Sequence, residues 1–372
     1  MAIALASASS RVLSLEAPDS AAPSVSTTAD CRQIDPRVDE TWDRRVLDHP
    51  QHTFFHSAAW ARVLCRTYGH RPFYLELRQS GQCLALLPLL EVNSRLTGRR
   101  AVCLPFSDFC GPLLFGESPP HMFEDHLAEI GRARKWRFVE LRGGFPRNAS
   151  LPSHPTFYGH QLQLAPGVDD LFSGFDSSVR RAIRKSERSP LAVQISDSPE
   201  SVDAFLGLHA RTRRRLGVPP QSRCFFEMIQ KTVLEPGFGF VVQASLGSRA
   251  VAAAMFFHSG NGAVYKFGAS DERFHEHRGN NLVMWEGIKE VKRRGAQHLH
   301  FGRTACDNHG LRRYKCSWSA TEEPLFYARF DPVRRSWAGV KQDVGTSHEH
   351  FFRRMPLAVN RLAGTLLYPH LH

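Results

Sequence analysis

Residues 238–268 read FGFVVQASLGSRAVAAAMFFHSGNGAVYKFG. The apolar runs Phe238–Ser245, Ala250–His258 and Ala263–Gly268 are each of strand length, and Leu246-Gly247-Ser248 supplies a turn between the first two. They predict a β-meander. Downstream, Leu282, Trp285, Ile288, Lys289 and Lys292 recur at helical spacing, with Met284 and Val291 widening the apolar stripe, so a helix is expected over Asn281–Arg294. Asn280 or Asn281 can cap its start. Gly295 stands where a C-terminal glycine belongs, and Lys292, Arg293 and Arg294 suit the negative end of its dipole. A strand at Gln297–Phe301 follows, and helices at Ser201–Arg215 and Phe225–Leu234 precede the meander. Two helices, a meander, a crossover helix and a returning strand make an α/β unit with a mixed sheet.

The same order occurs earlier in the chain. Helices are expected at Arg37–Asp48 and Ser57–Thr67, then strands at Phe73–Arg78 and Cys83–Val92 joined by Gln79-Ser80-Gly81-Gln82. A strand at Ala101–Phe106, a helix at Met122–Lys135 and a strand at Arg137–Leu141 complete the first copy. Residue identity between the copies is low, so the repeat is one of architecture. Four segments follow: an unstructured tail over 1–33, a first domain over 34–165, a second over 166–335 and a helical tail over 336–372. Ser153–Asp176 joins the two halves.

Bulk composition narrows the classes. The chain has 372 residues, of which 42% are hydrophobic, enough for two ordinary cores and too many for a disordered protein. A net charge of +12 calls for an acidic partner, such as a nucleotide phosphate, a tRNA, an anionic glycan or a lipid surface. The eight cysteines include no CxxC pair, which argues against a zinc site and for free thiols in a reducing cytoplasm. The start, MAIALASA, lacks the basic stretch of a signal peptide, and no apolar run reaches membrane-spanning length.

Chemistry concentrates in His298–Ala320, HLHFGRTACDNHGLRRYKCSWSA. A short alternating strand ends in a Gly-Arg turn, followed by a polar loop over Thr304–Gly310 and then by Tyr314 and Lys315. That mixture at a strand end suits an anionic or acyl substrate. Arg278-Gly279-Asn280-Asn281 opens the crossover helix, where backbone N–H groups can cradle an anion. Arg180, Arg181, Arg184, Lys185 and Arg188 form one basic face of a predicted helix, with only Glu187 among them, which suits phosphate.

Several segments taken together carry a resemblance. They are Leu104–Leu113 (LPFSDFCGPL), Ser178–Arg188 (SVRRAIRKSER), Arg214–Phe226 (RRLGVPPQSRCFF), Tyr265–Ser270 (YKFGAS), Asn280–Gly287 (NNLVMWEG) and Phe301–Trp318 (FGRTACDNHGLRRYKCSW). In this order they resemble the FemAB-related, BioF2-like acyltransferases of the GNAT superfamily. The tail RMPLAVNRLAGTLLYPH, Arg354–His370, is similar to members linked to exopolysaccharide and exosortase loci. The resemblance implies two tandem GNAT-like acyl-CoA N-acyltransferase domains with a cleft between them. It also implies acyl transfer onto an amine of a cell-envelope or exopolysaccharide precursor, with acyl-CoA as co-substrate and no tightly bound cofactor. In acetyl-CoA members the cradle at Arg278, Gly279, Asn280 and Asn281 would take the pyrophosphate, although HEHRGNN holds one glycine where the usual signature has more.

Transfer of an aminoacyl group from tRNA onto a peptidoglycan precursor is the alternative. It is disfavoured because Thr212–Arg223 is too short for the helical arm of those enzymes. A non-catalytic binder of anionic glycan or nucleic acid is the alternative of another class. The resemblance puts Lys315 of Gly310–Lys315 at the reacting carbonyl. Arg303 would bind carrier phosphate or pair with Asp307, and Asp307 or His309 would be the base. Phe106, Ser107, Asp108, Tyr265, Lys266 and Tyr314 join the basic helix as substrate-binding candidates. The tail helix Pro356–Tyr368 is expected to pack on the domain, with peripheral contact at the inner membrane as the other reading. The sequence does not fix the oligomeric state.

Overall fold

The computed structural model describes residues 30–116, 122–143, 154–340 and 349–371. Most of the tail expected over 1–33 falls outside them. Its last residues, however, form the strand Asp30–Ile34, paired antiparallel to Tyr74–Gln79.

The second half carries the expected unit on one eight-stranded sheet. Gly239–Leu246, Arg249–Ser259 and Gly262–Ser270 are the meander. The crossover helix Gly279–Arg293 packs on it and leads into the strand His298–His300, parallel to Gly262–Ser270. The helix Pro199–Arg215 packs against the same strands. Arg223–Ile229, continued by a wider turn at Gln230–Leu234, packs against Ala58–Tyr68 of the first half. One core cluster unites residues of both halves, among them Trp60, Phe225 and Phe257.

The first half departs from its twin. The strand expected over Cys83–Val92 is two strands, Gln82–Leu87 and Leu90–Ser94, and they belong to different sheets. Pro88 lies in the break and has no N–H to give to a ladder. A four-stranded and a six-stranded sheet therefore stand where one was expected.

The domain limits also move. Phe157–Gln163, expected in the first domain, pairs with His298–His300, Thr304–Ala305 and Thr321–Leu325 of the second sheet. Conversely, Tyr327–Asp331 returns to the first half and pairs with Val139–Arg142, and Ser336–Gly339 closes that edge. Each half thus completes its sheet with a strand taken from beyond the expected boundary, since both edges would otherwise leave backbone groups unpaired.

Candidate active site

The parallel pairing of Gly262–Ser270 with His298–His300 stops at Val264 and His300. The two strands then diverge. Gly302 has φ +73°, which turns the chain away from its neighbour. Tyr265, Lys266, Phe267 and Gly268 are half-buried along the opening, although the Lys266 side chain itself is only 7% exposed.

Lys315 reaches this opening from the helix His309–Cys316, whose start is capped by the Asn308 side chain accepting from the Leu311 N–H at 3.0 Å. Its Nζ donates to the carbonyls of Gly302 at 2.9 Å and Arg303 at 3.1 Å. The residue is 6% exposed. Burial pushes its ammonium down to about 8, against the pull of Asp108. An ammonium has three N–H donors, and two are spent on these carbonyls. The third is available to a group in the opening.

Asp108 enters from the first half. The loop that bears it holds two non-glycine residues at positive φ, Leu104 at +46° and Phe106 at +61°. Arg142 holds this loop from below by donating to the carbonyls of Leu104 at 3.3 Å and Ser107 at 3.1 Å, and its own charge is met by buried Glu140 at 3.0 Å. Asp108 accepts from Lys266 Nζ at 3.0 Å, and the same Nζ donates to the Phe106 carbonyl at 2.7 Å and lies 4.9 Å from the Phe55 ring centre. Burial would raise the Asp108 carboxyl, but Lys266 and Arg303 outweigh it and hold the group below the usual range.

Arg303 stacks 4.3 Å from the Phe157 ring centre and donates to the Tyr327 hydroxyl at 3.0 Å, and that hydroxyl donates to the Asp108 carbonyl. His300 is buried and neutral: burial drives it to about 3, and its Nδ1 accepts the Gly302 N–H at 2.9 Å. Nε2 therefore carries its proton, and His300 is a donor rather than a base.

A cationic cleft of about 420 Å³ lies beside this cluster, lined by Arg181, Lys185, Arg278, Asn281 and Tyr314. The start of the crossover helix faces it. Arg278 sits at φ +57°, and Gly279 is pressed against Ala252, where a Cβ would meet the alanine methyl at 3.1 Å. The Asn281 N–H already bonds the Arg278 carbonyl at 2.9 Å, and the N–H groups of Gly279 and Asn280 before it have no partner within the helix. Arg181, Arg184, Lys185 and Arg188 border a second groove. Between the halves, His52, His298, His300 and Gln161 line a pocket of about 230 Å³ with Phe54 and Phe109.

Residues 173–315 match the family model of the acetyltransferase (GNAT) domain. No curated protein matches the chain by sequence. Among solved structures, FemX aligns with TM-score 0.63 and 15% identity over 80% of this chain and 96% of its own. A tandem GNAT protein from the clavulanic acid biosynthesis pathway gives 0.53 and 11% over 81% and 98%. L-PGS from Bacillus licheniformis gives 0.52 and 11% over 90% and 98%. At such identities the likeness is one of fold. Residues 173–315 are therefore similar to a GNAT acetyltransferase domain, and the chain shares its mixed α/β fold with these tandem structures.

On this fold the expected site residues divide. Lys315, Arg303, Asp108 and Lys266 converge on the strand opening. Arg181, Lys185, Arg278, Asn281 and Tyr314 share the cleft. Arg180 is half-buried, with an Nε that has no partner. Arg184 stacks 5.3 Å from the centre of Phe172. Asn280 is engaged, its Nδ2 donating to Ser270 at 3.0 Å.

Three expectations fail. Arg303 does not pair with Asp307, because Tyr327 and the field of Asp108 hold it. Asp307 and His309 are exposed at the start of their helix. From His309 to Lys315 the helix advances about 9 Å and about one and two-thirds turns, so the two side chains point to different sides. Ser107 is 1% exposed and accepts the Trp60 indole N–H at 3.1 Å, so it holds the loop instead of facing a ligand. Phe106 packs on Tyr68 and Tyr368, and Tyr265 on Phe256, folded over Gly268.

Sequence reasoning missed Tyr327, Arg142 and His300 as parts of the cluster. Only His300 left a trace, as one of the two polar positions of a short alternating strand. Among the described residues one trio, His160, Cys316 and Glu322, has ligand atoms within 4.8 Å of one another. Glu322 is already held by Arg312 at 2.6 and 2.9 Å and by His160 at 3.0 Å, and the guanidinium opposes a cation there. All eight cysteines are free, and no described helix is long and apolar enough to cross a membrane.

Proposed function

We propose that the chain transfers an acyl group from a phosphate-bearing carrier, acyl-CoA, to an amine of a cell-envelope or exopolysaccharide precursor. The observation that carries this reading is the buried Lys315 ammonium beneath the strand opening, with one N–H unspent. A thioester carbonyl placed in the opening would receive that N–H, and the charge on Lys315 would stabilise the tetrahedral oxyanion. The amine nitrogen forms the new C–N bond, the C–S bond breaks, and the amine proton leaves on the thiol. Exposed Asp307 and His309 fit no role as base, which favours a substrate that arrives as free amine. Asp108 and Lys266 are positioning residues: their ion pair fixes the opening, and the Asp108 carboxylate favours the charged form of Lys315 while the Lys266 cation opposes it.

The cationic cleft suits the carrier phosphates, with Arg181, Lys185 and Arg278 around the helix start. The imidazole-lined pocket between the halves suits an uncharged, hydroxyl-rich acceptor. Aminoacyl-tRNA is the competing donor, supported by the fold likeness to FemX and by the net charge. Incubation with acyl-CoAs and amino sugars should release free thiol, and Lys315→Ala should abolish release while circular dichroism stays unchanged. Near-native turnover by that variant overturns the assignment. Activity that needs charged tRNA and is lost on RNase treatment replaces acyl-CoA with the other donor. Tight, steeply salt-dependent RNA binding with no transfer would instead support a binding protein.

A further inference from the structure

The helix Leu357–Leu367 docks by the wrong face for a packed amphipathic helix. Its buried residues are Asn360 and Gly364, and Tyr368 follows them into the same contact. Gly364 lies so close to the Pro219-Pro220 turn that a Cβ would run into the Pro220 carbonyl. The Tyr368 hydroxyl donates to the Pro219 carbonyl at 3.2 Å, and Asn360 Nδ2 donates to the Phe352 carbonyl at 3.0 Å. The apolar residues turn outward instead. Leu362 is 58% and Leu366 62% exposed, Val359 48%, and Phe351 on the preceding turn 65%. Positions 359, 362 and 366 form one row along the helix. The tail helix thus packs on the domain as expected, but through Asn360, Gly364 and Tyr368, and an apolar stripe stays in water at a cost unless something covers it.

The surroundings of the stripe favour one occupant. Arg353, Arg354 and Arg361 are exposed on the same two helices, with Arg353 and Arg361 at the rim where they meet the domain. Glu349 is the single acidic residue from 349 to 371. A second copy of this face would set these arginines against each other across a two-fold axis. An anionic lipid surface matches both features, since the stripe can enter the acyl boundary while the guanidinium groups stay among the headgroup phosphates. We infer that the outward face of residues 349–367 docks this enzyme on an anionic membrane surface.

The test is co-sedimentation of the full chain with vesicles of phosphatidylcholine alone and of phosphatidylcholine mixed with phosphatidylglycerol. Binding should require the anionic lipid and weaken with added salt. Leu362→Ser/Leu366→Ser should reduce partitioning about a hundredfold, the loss expected for two leucine side chains. Its unfolding temperature and its turnover of water-soluble substrates should not change. Arg354→Glu/Arg361→Glu should reduce binding comparably at low salt. Equal pelleting of native and leucine-variant protein, or no pelleting with either vesicle, refutes the inference. So does a dimer in light scattering that the leucine variant abolishes while the vesicles stay unbound, because the face is then an interface between two copies.

Discussion

Replacing Lys315 with methionine separates chemistry from stability in a way that can be calculated. The ammonium loses its proton at about 8 in the folded chain, against an ordinary value of 10.5. Below pH 8 the native fold bears the whole cost of burying a cation. Between pH 8 and 10.5 the folded chain has shed that proton while the unfolded chain retains it, so stability from this residue rises with pH. Relative to the methionine variant the native protein should gain about 3 kcal/mol over the window, with about 2.5 kcal/mol of it by pH 10. The variant also leaves the Gly302 and Arg303 carbonyls without a donor, a loss of about 1–3 kcal/mol for each that is much the same at both pH values. Urea unfolding of both proteins at pH 7 and pH 10, at equal ionic strength, measures the difference between them. A difference that does not change with pH refutes the depressed ammonium. In turnover the variant should lose about 10²–10³-fold in kcat, as for removal of an oxyanion donor. The native rate should fall as pH rises through about 8, because the protonated form is the active one. A rate that instead falls as pH drops through that value would make Lys315 a base and overturn the electrophilic role.

Arg181→Glu/Lys185→Glu should raise the KM for the donor about ten- to a hundredfold with little change in kcat, since both side chains line the cleft away from the reacting carbonyl. Asp108→Ala should cost about 3–5 kcal/mol, measured by thermal unfolding, because it leaves the Lys266 ammonium buried without its counter-ion. Adding Lys266→Met should recover most of that loss.

The parts of the fold with strong periodicity were readable. The helices Ala58–Tyr68, Pro199–Arg215 and Gly279–Arg293 lie within two residues of expectation, because each carries an apolar stripe with end signals. Thr321–Leu325, TEEPL, has two glutamates and a proline and no alternation, so nothing in it announces a strand. Its place is set by Phe157–Gln163, far away in the chain. The site was legible in the same measure. Lys315 stood out by its motif, and Asp108 and Lys266 were each named as binding residues. Their ion pair spans 158 positions and depends on a loop held at positive φ, which local sequence does not reveal. The distant partners also decided against Asp307: Tyr327 takes Arg303 from a strand that first has to cross back to the other half.

That crossing makes the two halves one folding problem. Val139–Arg142 is flanked on one side by Gly98–Val102 and on the other by Tyr327–Asp331. Glu140 receives Arg142 from its own strand and Arg329, at 2.9 Å, from the returning one. Phe330 is fully buried in the first-half core, and the Trp337 indole donates to Glu124 at 2.8 Å. A fragment of residues 34–165 lacks Tyr327–Asp331, with Arg329 and Phe330, and Trp337. It would expose the unpaired edge of Val139–Arg142, open the core at the position of Phe330 and lose one of two cations from a buried carboxylate. It should therefore be aggregation-prone and show no cooperative unfolding by circular dichroism, whereas adding a peptide of residues 324–340 should restore part of the transition. Cooperative folding of the fragment alone would refute the dependence. If the dependence holds, Asp108 from one half and Lys266 and Lys315 from the other cannot drift apart without unpairing a sheet. The opening would then be preorganised for the proposed oxyanion before any substrate arrives.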